Sequence, residues 1–153
     1  AWAFWGGLEG GPVYTNMQQT FRGHLVVLID EGTYSDGETF SAGVKALDLA
    51  PLIGTRTAGA GIWLSDRNRL SDRGQARVAE YAQYGLDGRW LVEGYGVAPD
   101  IEVENLPHES YLGKDAQLEA SIAYLRDKLA SDPIPDLVPG PIPPVGEPGR
   151  DVK

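Results

Sequence analysis

The 153-residue sequence has no cysteine, two histidines (His24 and His108) and one methionine. Absence of cysteine excludes disulfides, thiol nucleophiles, iron–sulfur clusters and thiolate zinc sites together. Two histidines are too few for a multi-histidine metal centre. No apolar run approaches the ~18 residues of a membrane span. Positive charge is scarce: 13 Lys and Arg stand against 22 Asp and Glu, a formal net charge of −9. With no basic cluster to offset it, that balance repels phosphate backbones and argues against a nucleic-acid partner. The opening residues Ala1-Trp2-Ala3-Phe4-Trp5-Gly6-Gly7 lack the basic segment and long apolar stretch of a signal peptide. They also lack an initiator methionine, so the expectation is an internal piece of a longer chain.

What is present is ordinary for a folded domain: 42% hydrophobic and 23% charged residues. Composition divides the chain into a body at 1–130 and a tail at 131–153. The tail gathers Pro133, Pro135, Pro139, Pro141, Pro143, Pro144 and Pro148 and is nearly empty of large apolar groups. Proline lacks an N–H and holds φ near −65°, which predicts an extended, polyproline-like or disordered segment. Trp2, Phe4 and Trp5 are apolar groups that need cover, which favours self-association.

Within the body, Leu25-Val26-Val27-Leu28-Ile29 reads as a strand buried on both faces, as in a parallel sheet covered by helices. A helix follows, with Phe40, Val44 and Leu47 on one face. Pro51 to Gly54 predicts a second short strand, and the Gly-rich turn from Gly59 runs into a third. Asp87-Gly88 predicts a hairpin turn between Arg77–Tyr84 and Arg89–Val92. Val97 to Asp100 reads as a turn in which Asp100 bonds its own backbone, leading into an edge strand at Ile101–Val103. Leu118, Ile122, Leu125 and Leu129 mark the apolar face of a last helix. The order of elements is that of a mixed α/β protein.

The sharpest local signal is Ile29-Asp30-Glu31-Gly32-Thr33-Tyr34-Ser35-Asp36-Gly37-Glu38, where a strand enters a tight turn and Ser35 opens a helix. Such an elbow bares a hydroxyl beside the free N–H groups of a helix start, which can stabilise a developing oxyanion. The same residues also spell a Ser-x-x-Glu capping box, with Ser35 and Glu38 serving only the helix end. Local sequence leaves both readings open.

Phe21-Arg22-Gly23-His24-Leu25-Val26-Val27-Leu28 together with Ser35-Asp36-Gly37-Glu38 resembles the catalytic core of the tricorn-type serine peptidases, within the wider tail-specific (C-terminal-processing) family. The blocks Ile53-Gly54-Thr55-Arg56-Thr57 and Val92-Glu93-Gly94-Tyr95-Gly96-Val97-Ala98-Pro99-Asp100-Ile101 agree in order. Leu106-Pro107-His108 and Gly113-Lys114-Asp115-Ala116-Gln117-Leu118 look like the closing segment. The resemblance implies a crotonase/ClpP-like α/β core, a mixed sheet with flanking helices, that cleaves peptides through an acyl-enzyme with no metal and no organic cofactor. It puts Ser35 at the nucleophile position and the Asp36 N–H at one oxyanion donor. Glu93 falls at the acidic position that acts through a second serine to orient a histidine.

Two departures matter. In the tail-specific branch a lysine base follows a Thr-x-Gly pattern; here that stretch reads Thr57-Ala58-Gly59-Ala60-Gly61, with Ala60 at the lysine position. A methyl group cannot take a proton, so the tricorn-type branch with a histidine base is favoured. That histidine and the second oxyanion donor belong to upstream sequence, and neither His24 nor His108 matches the base position. The reading is therefore a peptidase core fragment, feeble or inert alone, whose partners are peptides, upstream domains of its own protein and further copies in a homo-oligomer. The resemblance points to the cytoplasm, with an extracytoplasmic location left open. The rival reading is a non-catalytic module of the same fold, in which Ser35 caps its helix and Glu93 faces solvent.

Overall fold

The computed structural model describes residues 3–7, 10–16, 20–142, 144 and 146. Trp2 and the tail prolines Pro143 and Pro148 lie outside the described residues. The chain divides into two compact units, one from Ala1–Gly23 with Asp132–Lys153 and one from His24–Ser131. The proline-rich segment thus groups with the first residues, where the sequence reading set it apart.

In the first unit, β1 (Phe4–Trp5) pairs antiparallel with β2 (Tyr14–Thr15), placing Phe4 opposite Thr15. The Arg22 guanidinium sits 5.9 Å from the centre of the Phe4 ring and donates to the Pro135 carbonyl. Residues 133–142 form neither helix nor strand. Phe4 and Trp5 remain exposed.

The second unit is built on three parallel strands. β3 (Val27–Ile29) leads through α1 (Asp36–Ala46) to β4 (Leu52–Gly54), which lies centrally, paired with β3 on one side and β7 (Ile101–Glu102) on the other. Between them, β5 (Trp63–Arg69) and β6 (Gln75–Tyr81) make an antiparallel hairpin. The chain closes with α2 (Pro107–Tyr111) and α3 (Ala116–Ser131). Strand β4 is buried along its length, and Ile29, Val44, Leu52, Val92 and Val97 form the core around it. Each such aliphatic side chain contributes roughly 1.5–3 kcal/mol through burial.

β3, α1, β4, β7 and α3 fall where the apolar patterns put them, but several faces do not. The first strand is covered on one side only: Ile29 is buried while Leu28 is 41% exposed. On α1 the inward residues are Glu38, Ser41 and Val44, and Phe40 and Leu47 are exposed. On α3 the stripe at Leu118, Ile122 and Leu129 is exposed, and Gln117 and Ser121 face inward. Polar anchoring sets that rotation: the Gln117 side chain donates to the Val103 carbonyl at 3.0 Å, and its N–H donates to Asn105 Oδ1 at 3.1 Å.

The Asp87-Gly88 turn is closed by a short antiparallel pairing, Tyr84 opposite Trp90, with the Gly85 N–H donating to the Arg89 carbonyl at 2.9 Å and the Leu91 N–H to the Gln83 carbonyl at 2.8 Å. The longer hairpin turns earlier, at Leu70 to Gly74, where the Leu70 N–H donates to the Gly74 carbonyl at 2.9 Å. Asp100 does not bond its own backbone. It accepts the Leu52 N–H at 2.8 Å and pairs with Lys45 at 2.7 Å, tying β4, the start of β7 and the end of α1 together. Those two contacts, the backbone one foremost, hold the Asp100 carboxyl below its ordinary pKa.

Candidate active site

Ser35 stands between β3 and α1 with φ 53° and ψ −119°, a region non-glycine residues rarely adopt. Such a conformation costs about 1–3 kcal/mol and persists only where the surroundings impose it. Here they do. The preceding turn is closed by Asp30, whose Oδ1 accepts the Gly32 N–H at 3.0 Å and the Thr33 hydroxyl at 3.1 Å. The Ser35 N–H is shared between the Ala60 carbonyl and Glu38 Oε2, both at 3.2 Å. Ser35 and Glu38 form a capping box, in which the Glu38 carboxylate accepts the Ser35 N–H and the Glu38 N–H donates to the Ser35 carbonyl at 2.9 Å.

The first turn of α1 has one amide left over. Ser35, Gly37 and Glu38 N–H groups are all engaged, the last two by the Tyr34 and Ser35 carbonyls at 3.0 and 2.9 Å. The Asp36 N–H has no hydrogen-bond partner among the described residues. It belongs to a residue that, with Ser35, lines a cavity of about 530 Å³. Tyr34, Ala60, Ile62, Trp63, Leu64, Arg77, Ala79 and Glu93 complete the lining. The sequence-predicted residues Ser35, Asp36 and Glu93 are therefore brought to one cleft, and Ala60 with them. Neither His24 nor His108 lines it.

Glu93 follows Val92, a buried β-branched residue held at φ 69°. The Glu93 carboxylate is pinned through Oε2 alone, which accepts the Gly61 N–H at 2.8 Å and the Ile62 N–H at 3.0 Å. Oε1 makes no hydrogen bond among the described residues, so it can accept a hydroxyl proton brought into the cleft. The two preceding amides of the same loop, Gly59 and Ala60, donate to Glu38 at 2.6 and 2.7 Å. Four consecutive N–H groups are thus divided between two carboxylates.

Glu38 is fully buried, at 0% exposure. Besides Ser35, Gly59 and Ala60, it accepts the Thr57 hydroxyl at 2.5 Å. Burial acts to raise its pKa, but the donations from Thr57, Gly59, Ala60 and Ser35 outweigh that and hold it below the ordinary value. Sequence reading saw Glu38 only as a helix-cap partner. It did not place the hairpin residues Trp63, Leu64, Arg77 and Ala79 at the cleft. Arg77 there is paired with Asp66 at 2.8 Å. Among the described residues, no group of three or more His, Cys, Asp or Glu side chains converges to hold a metal ion, and no described helix is long and apolar enough to cross a membrane.

Ser35 at the strand-to-helix elbow of a parallel α/β core, the unengaged Asp36 amide and the Glu93 carboxylate thus belong to residues that line one cleft. The chain belongs to peptidase family S41, whose model matches residues 9–103. It is 39% identical over 118 residues to the tricorn protease of Thermoplasma acidophilum, covering 77% of this chain and 11% of that protein. To tricorn protease homolog 1 of Streptomyces coelicolor it is 38% identical over 117 residues, covering 76% and 11%. The crystal structure of the tricorn protease superposes with a TM-score of 0.77 at 34% identity, over 84% of this chain and 12% of that one. The chain thus spans about a tenth of the length of these relatives. The α/β class and the tricorn-type resemblance both hold.

Proposed function

We propose that this chain is the nucleophile-bearing part of a serine peptidase that cleaves peptide bonds through an acyl-enzyme on Ser35. In this reading the Ser35 oxygen attacks the scissile carbonyl carbon and its proton passes to a histidine supplied by upstream sequence. The carbonyl oxygen, now negative, is met by the Asp36 N–H. Collapse of the tetrahedral intermediate breaks the C–N bond as the histidine protonates the leaving amine; water then repeats the sequence and frees the acid product. Glu93 accepts a hydroxyl from an upstream serine through its open Oε1, and that serine orients the histidine.

The observation that carries the reading is the convergence of Ser35, the unengaged Asp36 amide and Glu93 on one cleft. One oxyanion donor contributes roughly 3–4 kcal/mol to such a transition state. Peptides are the substrates, upstream domains complete the site, and the whole protein is a homo-oligomer of the cytoplasm, as in the branch it resembles. The test is a fluorophosphonate probe on the full-length protein. Labelling at Ser35 that disappears in Ser35→Ala is expected. A blank beside a labelled control peptidase overturns the reading in favour of a non-catalytic module.

A further inference from the structure

We propose that Glu38 is a positioning residue of this site, its buried carboxylate locking the Ser35 elbow to the Thr57–Ala60 loop so that nucleophile and acid keep a fixed relation. The inference rests on the peptidase reading of Ser35. A helix cap alone needs no burial, since a solvated Ser-x-x-Glu pair serves that end equally well. Here an ionised carboxylate is taken wholly out of water without a cation beside it, and such a group is tolerated only when its oxygens are saturated with donors.

The donors come from two separate places, the Ser35 elbow and the Thr57–Ala60 loop. Oε1 takes the Thr57 hydroxyl and the Gly59 N–H, and Oε2 takes the Ala60 and Ser35 N–H groups. The Thr57 hydroxyl in turn accepts the Val97 N–H at 2.7 Å, just beyond the Glu93 turn. The loop that grips Glu38 also grips Glu93 with its next two amides. With the Ser35 N–H occupied by Glu38 and Ala60, the Asp36 N–H is the amide left for the cleft. Glu38 touches no reacting atom; it acts through Ser35 and the loop.

The expected consequence is a loss in turnover without a matching loss in substrate binding. Glu38→Gln keeps the volume but points an NH2 group at N–H donors, so at least one backbone N–H loses its acceptor whichever way the amide is turned. In the full-length protein, kcat for peptide hydrolysis falls about 10- to 100-fold, as small misplacements of a nucleophile do, while KM changes less than about threefold. Thr57→Val, which removes one donor to the carboxylate together with the acceptor of the Val97 N–H, gives a smaller fall of about 3- to 10-fold with the same split; it carries the test should Glu38→Gln not fold. Circular dichroism and the thermal midpoint, read in parallel, confirm that the assayed variant is folded. Unchanged kcat in a folded variant overturns the role of Glu38 alone. A wild type that neither cleaves peptides nor labels at Ser35 overturns the peptidase reading and the role with it.

Discussion

Ala60 and Ser35 are joined backbone to backbone, the Ser35 N–H donating to the Ala60 carbonyl at 3.2 Å, and both line one cleft. The residue at the tail-specific lysine position is therefore beside the hydroxyl in space as well as in pattern. Its methyl group leaves the site without a local base. Ala60→Lys, which leaves the backbone bonds of residue 60 intact, introduces one. In the 153-residue chain, labelling of Ser35 by a fluorophosphonate is expected to be slow, and faster by about tenfold or more in Ala60→Lys. The rate should climb with pH as the neutral amine becomes available. Equal rates in the two chains, or labelling that survives an added Ser35→Ala, would rule out this placement of residue 60.

Backbone strain at Ser35 makes a separate prediction about stability. Ser35→Ala removes the hydroxyl but keeps a Cβ at φ 53°. Ser35→Gly removes both, and glycine adopts that region freely. Although glycine adds entropy to the unfolded chain, the glycine variant should be the more stable of the two by about 1 kcal/mol. Urea unfolding of both proteins measures the difference. An alanine variant as stable as the glycine variant would mean that the elbow is unstrained.

How far the sequence reaches is clear from Glu38, Glu93 and the last helix. Residues 29–38 made Ser35 legible only as a helix start with two open roles, a bared hydroxyl or a cap, and the roles expected of Ser35, Asp36 and Glu93 came from the family resemblance of residues 35–38 and 92–101. The parallel strands were legible because β4 is apolar throughout and closed by Gly54. Periodicity placed α3 but not its face: the stripe of Leu118, Ile122 and Leu129 is the strongest apolar signal on that helix, yet Ser121 is buried with its hydroxyl donating to the Gln117 carbonyl one turn back, and Gln117 turns inward because Asn105 and Val103 offer it hydrogen bonds. Those partners lie 12 and 14 residues away and leave no local trace. Glu38 escaped for a like reason, since its donors at Thr57, Gly59 and Ala60 are some twenty residues distant in the chain.

Acid should destabilise the fold through two carboxylates. Glu38 and Asp100 both have folded pKa values below their ordinary 4.5 and 3.8. A carboxylate with a depressed folded pKa binds its proton more readily in the unfolded chain, so its stabilisation is complete above the unfolded value and is lost as pH falls through the folded one. Thermal midpoints are expected to be level with respect to these groups above pH about 5.5 and to fall through the range below 4.5. Asp100→Asn loses the Lys45 pair, so it starts lower at neutral pH and falls less on acidification. A midpoint that drops as steeply in Asp100→Asn as in the wild type would exclude Asp100 from the acid transition.

The close approach of β3 and β4 can be tested with two glycines that differ only in surroundings. At Gly54, φ is 136° and an added Cβ would run into the Ile29 carbonyl oxygen, the atom that accepts the Thr55 N–H at 3.0 Å. Neither strand can move aside, because Leu52, Ile53 and Gly54 are buried and paired on both edges. Gly54→Ala should therefore cost about 2–5 kcal/mol from strain and overpacking together. Gly43 lies inside α1 with nothing within 4 Å of its added Cβ. There Gly43→Ala should gain about 0.5–1 kcal/mol, since alanine loses less backbone entropy in a helix. Denaturant midpoints of the two variants should move in opposite directions. A tolerated Gly54→Ala would require the parallel register of Ile29 against Gly54 to be wrong, and with it the strand end from which the Ser35 elbow springs.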